Sequence, residues 1–159
     1  MPIFAPDDIL GGPPPYLVMA KDSLNRKDGS TIMRSDDRIR ATGEVFTPND
    51  IADIVVDAMD EVIINNPKAR FLERSAGEGN FVCALVRRIH KVTGRSYRDI
   101  LENNIYCVEL MRDNYVSMCD RILREFEVDI RNHPHYVNAD ALTYDYSFGE
   151  KIGLEAFFS

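Results

Sequence analysis

The most informative segment of the sequence is FLERSAGEGNF, which runs from Phe71 to Phe81. It begins with two apolar residues and the acid Glu73, and two glycines, Gly77 and Gly79, follow. Glycine lets the backbone turn sharply and lets a ligand approach the main chain closely. The segment therefore predicts the end of a β-strand, a ligand-binding loop and the start of a helix.

Strand and helix patterns alternate around this segment. The pattern predicts strands at 69–73, 105–109 and 135–138 and helices at 47–66, from 80 onward, and at 111–126. Such alternation indicates parallel βαβ units. The predicted fold class is therefore α/β, with an open, mostly parallel Rossmann-like sheet and helices on both faces. The sheet is expected to be incomplete, because only three strands are recognised.

The first forty residues have a different composition from the rest. GGPPPY (Gly11–Tyr16) can be neither helix nor central strand, since proline lacks a donor and glycine loosens the backbone. We expect residues 1–40 to form an irregular arm, suited to binding a partner, with at most a short strand at Tyr16–Met19. Residues 41–159 are expected to form the ligand-binding domain.

Composition and charge limit the class of protein. The chain has 159 residues and a net charge of −7, whereas a protein that grips DNA unaided normally presents a basic face. No apolar stretch approaches the roughly 18 residues needed to span a bilayer, and the N-terminus lacks the features of a signal peptide. We expect a cytoplasmic protein with no membrane contact.

The cysteine and histidine residues do not suggest a metal site. Cys83, Cys107 and Cys119 lie in apolar periodic segments, which favours buried reduced thiols. His133 and His135 flank a proline, and two imidazoles need further ligands to hold a metal ion. We expect no metal.

Each of the three predicted strands runs into an acidic residue: Glu73, Glu109 and Asp140. Ligands of such sheets bind at the carboxyl ends of the strands. A dinucleotide would favour a third glycine where Val82 stands, and Glu73 would repel a phosphate. The loop is better suited to a cationic group, such as an ammonium or a sulfonium.

The other two acids suggest the remainder of that ligand. Glu109 can accept hydrogen bonds from both ribose hydroxyls, and Asp140 can accept one from an adenine amino group. Amino acid, ribose and adenine in that order describe S-adenosylmethionine. The alternative for each acid alone is a strand-terminal cap or a solvated turn.

With these segments in place, residues 38–145 resemble the S-adenosylmethionine-dependent DNA methyltransferases that modify adenine N6. GEVFTP (Gly43–Pro48) is similar to the segment that precedes the domain in that family and folds over the cofactor. FLERSAGEGNF is similar to the family's acid–x–x–x–G–x–G–x–F motif. The resemblance implies cofactor contacts from Phe46, Thr47, Pro48, Glu73, Gly77, Gly79, Phe81, Glu109 and Asp140. Arg74 departs from the pattern, which has proline or alanine at this position.

The catalytic motif of that family, D/N/S-P-P-Y/F, is not found after Asp140, and the catalytic residues stay unassigned. Asp145–Phe148 has an acid and an aromatic residue at the right separation but no proline, and Pro13–Tyr16 has proline where the acceptor should be. Either segment is a weak alternative. We therefore expect a homo-oligomer or a complementing catalytic subunit, with DNA reached through that partner.

Three functions remain open from the sequence. The first is a compact or split adenine-N6 methyltransferase subunit. The second is a non-catalytic methyltransferase-like protein that regulates or inhibits DNA modification. The third is another reaction of the same cofactor, such as its cleavage.

Overall fold

The structure, a computed structural model, describes Asp37 and residues 47–158. The predicted arm (apart from Asp37), the strand at Tyr16–Met19 and the site residue Phe46 lie outside the described residues. The helices and strands named below belong to the unit Asn49–Ser159.

The described chain alternates between helices and short strands. In order, the elements are α1 (Asn49–Asp57), α2 (Glu61–Asn65), β1 (Phe71–Glu73), α3 (Asn80–Thr93), α4 (Tyr97–Asn103), β2 (Ile105–Glu109), α5 (Arg112–Phe126), β3 (Tyr136–Asn138) and a 3₁₀ turn at Leu154–Phe157.

The three strands form one parallel sheet in the order β1-β2-β3. Leu72 pairs with Tyr106, and Val108 pairs with Val137. The predicted α/β class with a parallel sheet is confirmed in this part of the chain. β2 has the predicted bounds, and β1 and β3 begin one or two residues later than predicted.

Within residues 47–158 the α-helices pack against one face of this sheet, whereas helices were predicted on both faces. One hydrophobic core joins side chains from all five helices to Ile105, Cys107 and Tyr136. Right-handed crossovers that advance in one direction across a parallel sheet place their helices on the same face. Because the order is β1-β2-β3, each crossover here advances in that one direction.

The opposite face is covered by the segment that follows β3. Tyr106 and Val108 of β2 form a second core with Tyr146 and Phe148. The 3₁₀ turn contributes Leu154 and Phe157 to this core. In the part of the chain that the structure describes, an irregular, aromatic segment therefore covers the face where a second layer of α-helices was expected.

The predicted helix at 47–66 is in fact two helices. The side chain of Asp60 accepts a hydrogen bond from the N–H of Val62 at 2.8 Å and caps the start of α2. The helical spacing in the sequence predicts one apolar face made by Ile51, Ile54, Val55, Ala58 and Val62. That face is not the buried one, since Ile54 is 62% and Val62 77% exposed, while Ala52 and Val56 are buried. A capping aspartate competes with continued helix in this way.

The short helix α4 was not predicted from the sequence. Ser96 caps it by accepting a hydrogen bond from the N–H of Asp99 at 3.2 Å. Asn104, at its other end, is buried and donates to the carbonyls of Pro67 and Ala69 at 3.1 and 2.7 Å. These bonds fix the chain that leads into β1.

Candidate functional site

The glycine loop begins where β1 ends, as the sequence predicted. Glu73 closes β1, and its carboxylate accepts a hydrogen bond from the N–H of Ser75 at 3.0 Å. Gly77 and Gly79 have φ angles of 53° and 82°, in the left-handed region that glycine adopts without strain. The loop backbone also reaches β2, because the N–H of Ala76 donates to the carbonyl of Val108 at 3.3 Å.

Gly79 also permits close packing between two helices. It is the residue before α3, and a Cβ atom there would lie 2.9 Å from Cγ of Met118 on α5. Its carbonyl accepts the hydrogen bond from Cys83 at 2.8 Å that opens the helix. Gly79 therefore combines a left-handed conformation with a close approach, and both disfavour a side chain at this position.

Glu109 lies at the centre of the strand tips. It is only 4% exposed. One carboxylate oxygen accepts from the N–H of Gly77 at 2.6 Å, and the other from the N–H of Met111 at 2.8 Å. The amide of Asn114 is 3.5 Å from that second oxygen. A single carboxylate therefore joins the glycine loop to the end of β2 and the start of α5.

The tip of β3 is hydrogen-bonded to the end of β2. The side-chain amide of Asn138 donates to the carbonyls of Glu109 and Leu110 at 2.7 and 3.0 Å. The N–H of Ala139 donates to the carbonyl of Glu109 at 3.0 Å. Asp140 follows, and it is exposed and accepts a hydrogen bond from the N–H of Leu142 at 2.9 Å.

The structure brings only some of the nine predicted site residues together. Gly77 and Glu109 are in direct contact, and Asp140 lies two residues beyond Asn138, which bonds to the Glu109 carbonyl. Glu73 and Phe81 instead share a groove beside β1. Phe46 lies outside the described residues. Thr47 and Pro48 are half-buried and belong to the unit Met1–Pro48.

Three residues beside the tips were missed by sequence reasoning. Asn138 fixes the tip of β3 to that of β2. Leu110 and Leu142 are 58% and 91% exposed, and they stand one and two residues after the acids Glu109 and Asp140. The sequence signal that could have identified the two leucines is an apolar residue one or two positions after an acid at a strand end. These leucines offer apolar surface next to the polar tips.

The segment Asp145–Phe148 has a structural role. Tyr146 and Phe148 are buried in the second core, with φ angles of 56° and 42°. The hydroxyl of Tyr144 accepts a hydrogen bond from the N–H of Phe148 at 2.8 Å. The carboxylate of Asp145 accepts from the backbone N–H of Ser147, which lowers the pKa of Asp145. An aromatic ring held in this way cannot stack on a substrate base.

The cysteines are free and buried, as predicted. Burial raises the pKa of Cys83 to about 12 and that of Cys107 well above its ordinary value. A thiol must lose its proton to act as a nucleophile or metal ligand, so neither is poised for such chemistry. Across the described residues, no three His, Cys, Asp or Glu side chains are grouped to hold a metal ion.

Comparison with known proteins adds no family assignment. No protein-family model matches the sequence, and no curated protein matches it. Within the part of the chain that the structure describes, no helix has the length and apolar character required to span a bilayer.

Proposed function

We propose that the chain binds S-adenosylmethionine at the tips of its three parallel strands, as the cofactor-binding component of an adenine-N6 DNA methyltransferase. The observation that carries the proposal is the contact between Glu109 and Gly77, at 2.6 Å. It places a strand-terminal carboxylate against a bare glycine backbone. A sulfonium nucleoside offers ribose hydroxyls to the carboxylate and needs close approach to such a backbone.

The chemistry of these residues suits that cofactor. Glu109 accepts two short backbone hydrogen bonds, and a carboxylate has about four acceptor positions. Ribose hydroxyls can use the remaining positions or replace the Gly77 donor. Glu73, an acid beside the loop, suits a cationic ammonium or sulfonium group and disfavours a phosphate.

The exposed leucines support a site for the adenine ring. Leu110 and Leu142 follow the strand-terminal acids Glu109 and Asp140 and present exposed apolar surface, and a flat heteroaromatic ring gains free energy by covering such surface. Asp140 is exposed, so its carboxylate is accessible to an exocyclic amino group. The polar and apolar groups at the tips therefore match the two ends of adenosine.

The cofactor, when bound, supplies an electrophilic methyl group, and the task of this chain is to hold and orient it. The 159 residues contain no D/N/S-P-P-Y/F segment, so we assign the catalytic loop and the contacts to the target base to sequence outside these residues, which we propose lies on a partner chain. The net charge of −7 is consistent with DNA contacts made by that partner.

A non-catalytic regulatory role is the second candidate. One observation favours it. Asp145–Phe148 has the spacing of acid and aromatic residue that the catalytic motif requires, but this segment packs in the second core, where Phe148 is fully buried. Under this alternative the protein binds the cofactor but supports no methyl transfer with any partner.

Calorimetry on the full chain tests cofactor binding. We expect heat of binding with S-adenosylmethionine, and Glu109→Gln should weaken the affinity at least tenfold, about 1.4 kcal/mol. Asp120→Asn, which alters an exposed carboxylate on α5, is the matched control and should bind as the parent does. No heat at millimolar cofactor would refute the proposal.

A methyl-transfer assay on mixed-sequence DNA separates the two candidates. It is run with the chain alone and then with the products of neighbouring genes. Transfer that requires both chains supports the split enzyme, whereas cofactor binding without transfer in any mixture supports the regulatory role.

A further inference from the structure

We propose that the edge of β1 that is unpaired within residues 47–158 docks an apolar β-strand that carries acidic side chains and belongs to a different polypeptide. The proposal deepens the proposed function by naming the surface that receives the partner. It rests on that function only for the partner's role, and two residues of the surface, Glu73 and Phe81, are also among the proposed cofactor contacts.

The backbone of β1 has one side available for pairing. Within the sheet of the described residues, β1 is an edge strand whose neighbour is β2. The N–H of Phe71 donates toward β2, to the carbonyl of Asn104 at 2.8 Å. Successive residues of a strand direct their N–H and C=O groups to opposite sides. The N–H and C=O of Leu72 therefore face away from β2, toward the open edge.

An apolar groove of about 270 Å³ runs along this edge. Its walls come from α1, β1, β2 and α3, and its lining includes Val55, Met59, Phe71, Phe81, Leu85 and Ile105. Val55 is 47% exposed, and α1 and α2 expose further apolar side chains at Ile54, Val62 and Ile63. An exposed strand edge beside an apolar groove is the surface used in strand addition.

The charges at this edge favour a different, acidic strand over a second copy. Arg70 and Arg74 are exposed, and neither forms an ion pair with another residue in 47–158. The one acid between them, Glu73, accepts a hydrogen bond from the N–H of Ser75, so the edge carries two positive charges and one negative charge. An antiparallel self-pairing centred on Leu72 would set Arg70 opposite Arg74 of the other copy. Like charges that lie directly opposite destabilise a sheet. Carboxylates on an incoming strand would instead complement both arginines.

A synthetic probe peptide tests this docking on the full chain. The probe is a short fluorescein-labelled peptide in which valine alternates with glutamate, and a peptide with lysine in place of glutamate gives the charge control. We expect saturable binding of the glutamate peptide, with at least tenfold weaker binding of the lysine peptide. Binding should also protect the Leu72 amide from hydrogen exchange. No saturable binding, or equal binding of both peptides, would overturn the proposal.

Two changes test whether binding uses the strand edge. A probe N-methylated on alternate residues keeps its apolar surface but loses its donors, and Leu72→Pro removes the outward-facing N–H of the protein. Each should weaken binding at least tenfold. If the N-methylated probe binds as well as the unmodified one, the contact is apolar adhesion and strand addition is refuted, whether or not Leu72→Pro folds.

A groove variant completes the test. Val55→Asp puts a charge on a half-exposed groove residue and should abolish probe binding, while Val116→Ser, at an exposed apolar position on α5, should not. A dimer of the chain alone in sedimentation, dissolved by Val55→Asp, would identify a second copy as the occupant and overturn the proposal. S-adenosylmethionine calorimetry on the parent protein, run without the probe peptide, measures cofactor binding by itself, so failure of docking and failure of cofactor binding are observed separately.

Discussion

The carboxylate of Glu109 at the end of β2 accepts a hydrogen bond from the N–H of Gly77 in the glycine loop, across 32 residues of sequence, at 2.6 Å. Through this bond the tip of one strand determines the position of the loop that follows another. The same carboxylate accepts a hydrogen bond from the N–H of Met111, the residue that precedes α5. Glu109 is therefore both a structural residue and the proposed cofactor ligand.

The double role of Glu109 predicts a graded effect on stability. Glu109→Ala leaves the partly buried N–H groups of Gly77 and Met111 without their acceptor, which should lower the free energy of unfolding by about 1–3 kcal/mol. Glu109→Gln retains one acceptor oxygen and should cost less. Urea unfolding followed by circular dichroism measures both. Equal stability of Glu109→Ala and the parent would show that the Gly77 bond is not formed in solution.

Gly79→Ala should destabilise the protein more than Gly94→Ala does. Both glycines have positive φ angles, 82° and 70°, and a left-handed conformation costs a residue with a side chain about 1–2 kcal/mol. Only at Gly79 does the added Cβ also meet another side chain, at 2.9 Å from Met118. Thermal unfolding of the two variants gives the comparison, and equal losses would contradict the close approach of α3 and α5.

His133 should make the protein less stable as the pH falls below about 6.5. Burial, and then the charge of His135, lower the pKa of His133 from its ordinary value of 6.5. The unfolded chain therefore binds a proton at a pH where the folded chain does not. Stability is complete above pH 6.5 and declines as the pH falls toward the lowered pKa.

Urea unfolding at pH 7.5 and at pH 5.5 measures that decline. His133→Asn should lose less stability between the two values than the parent, because one shifted group has been removed. The same loss in both proteins would show that His133 contributes nothing to it. Both pH values lie above 3.8, which is the ordinary pKa of the aspartates whose pKa is lowered in the folded protein.

Phe148→Ala should destabilise the protein strongly. Phe148 is fully buried, and its ring lies 5.1 Å from that of Tyr106 and 5.2 Å from that of Tyr144. Truncating a buried phenylalanine costs about 3–5 kcal/mol. Phe158→Ala, at a position 78% exposed, is the control and should be near neutral. A stable Phe148→Ala would contradict the role of the C-terminal segment as the cover of the second face.

The features that the sequence predicts well are local ones. Ile105–Glu109 is a run of strand-forming residues and forms β2 with the predicted bounds. Gly77 and Gly79 supply positive φ angles in the predicted loop. Each of these features depends on neighbouring residues, so a pattern along the chain is sufficient to identify it.

The features that the sequence does not predict depend on contacts between distant segments. The break before α2 depends on Asp60 capping a new helix, although Ile54 and Val62 suggest a continuous apolar face. The covering of the second sheet face depends on Phe148 meeting Tyr106. The bond between Glu109 and Gly77 could be expected only after both strand tips were assigned to one edge of a parallel sheet.

Backbone amide chemical shifts during a titration with S-adenosylmethionine test the central claim most directly. If the cofactor binds at the strand tips, the amides of Gly77, Met111 and Ala139 shift together and saturate at one concentration, while those of the exposed surface of α5 do not. Saturating shifts confined to other parts of the chain, or no shifts at millimolar cofactor, would contradict the account.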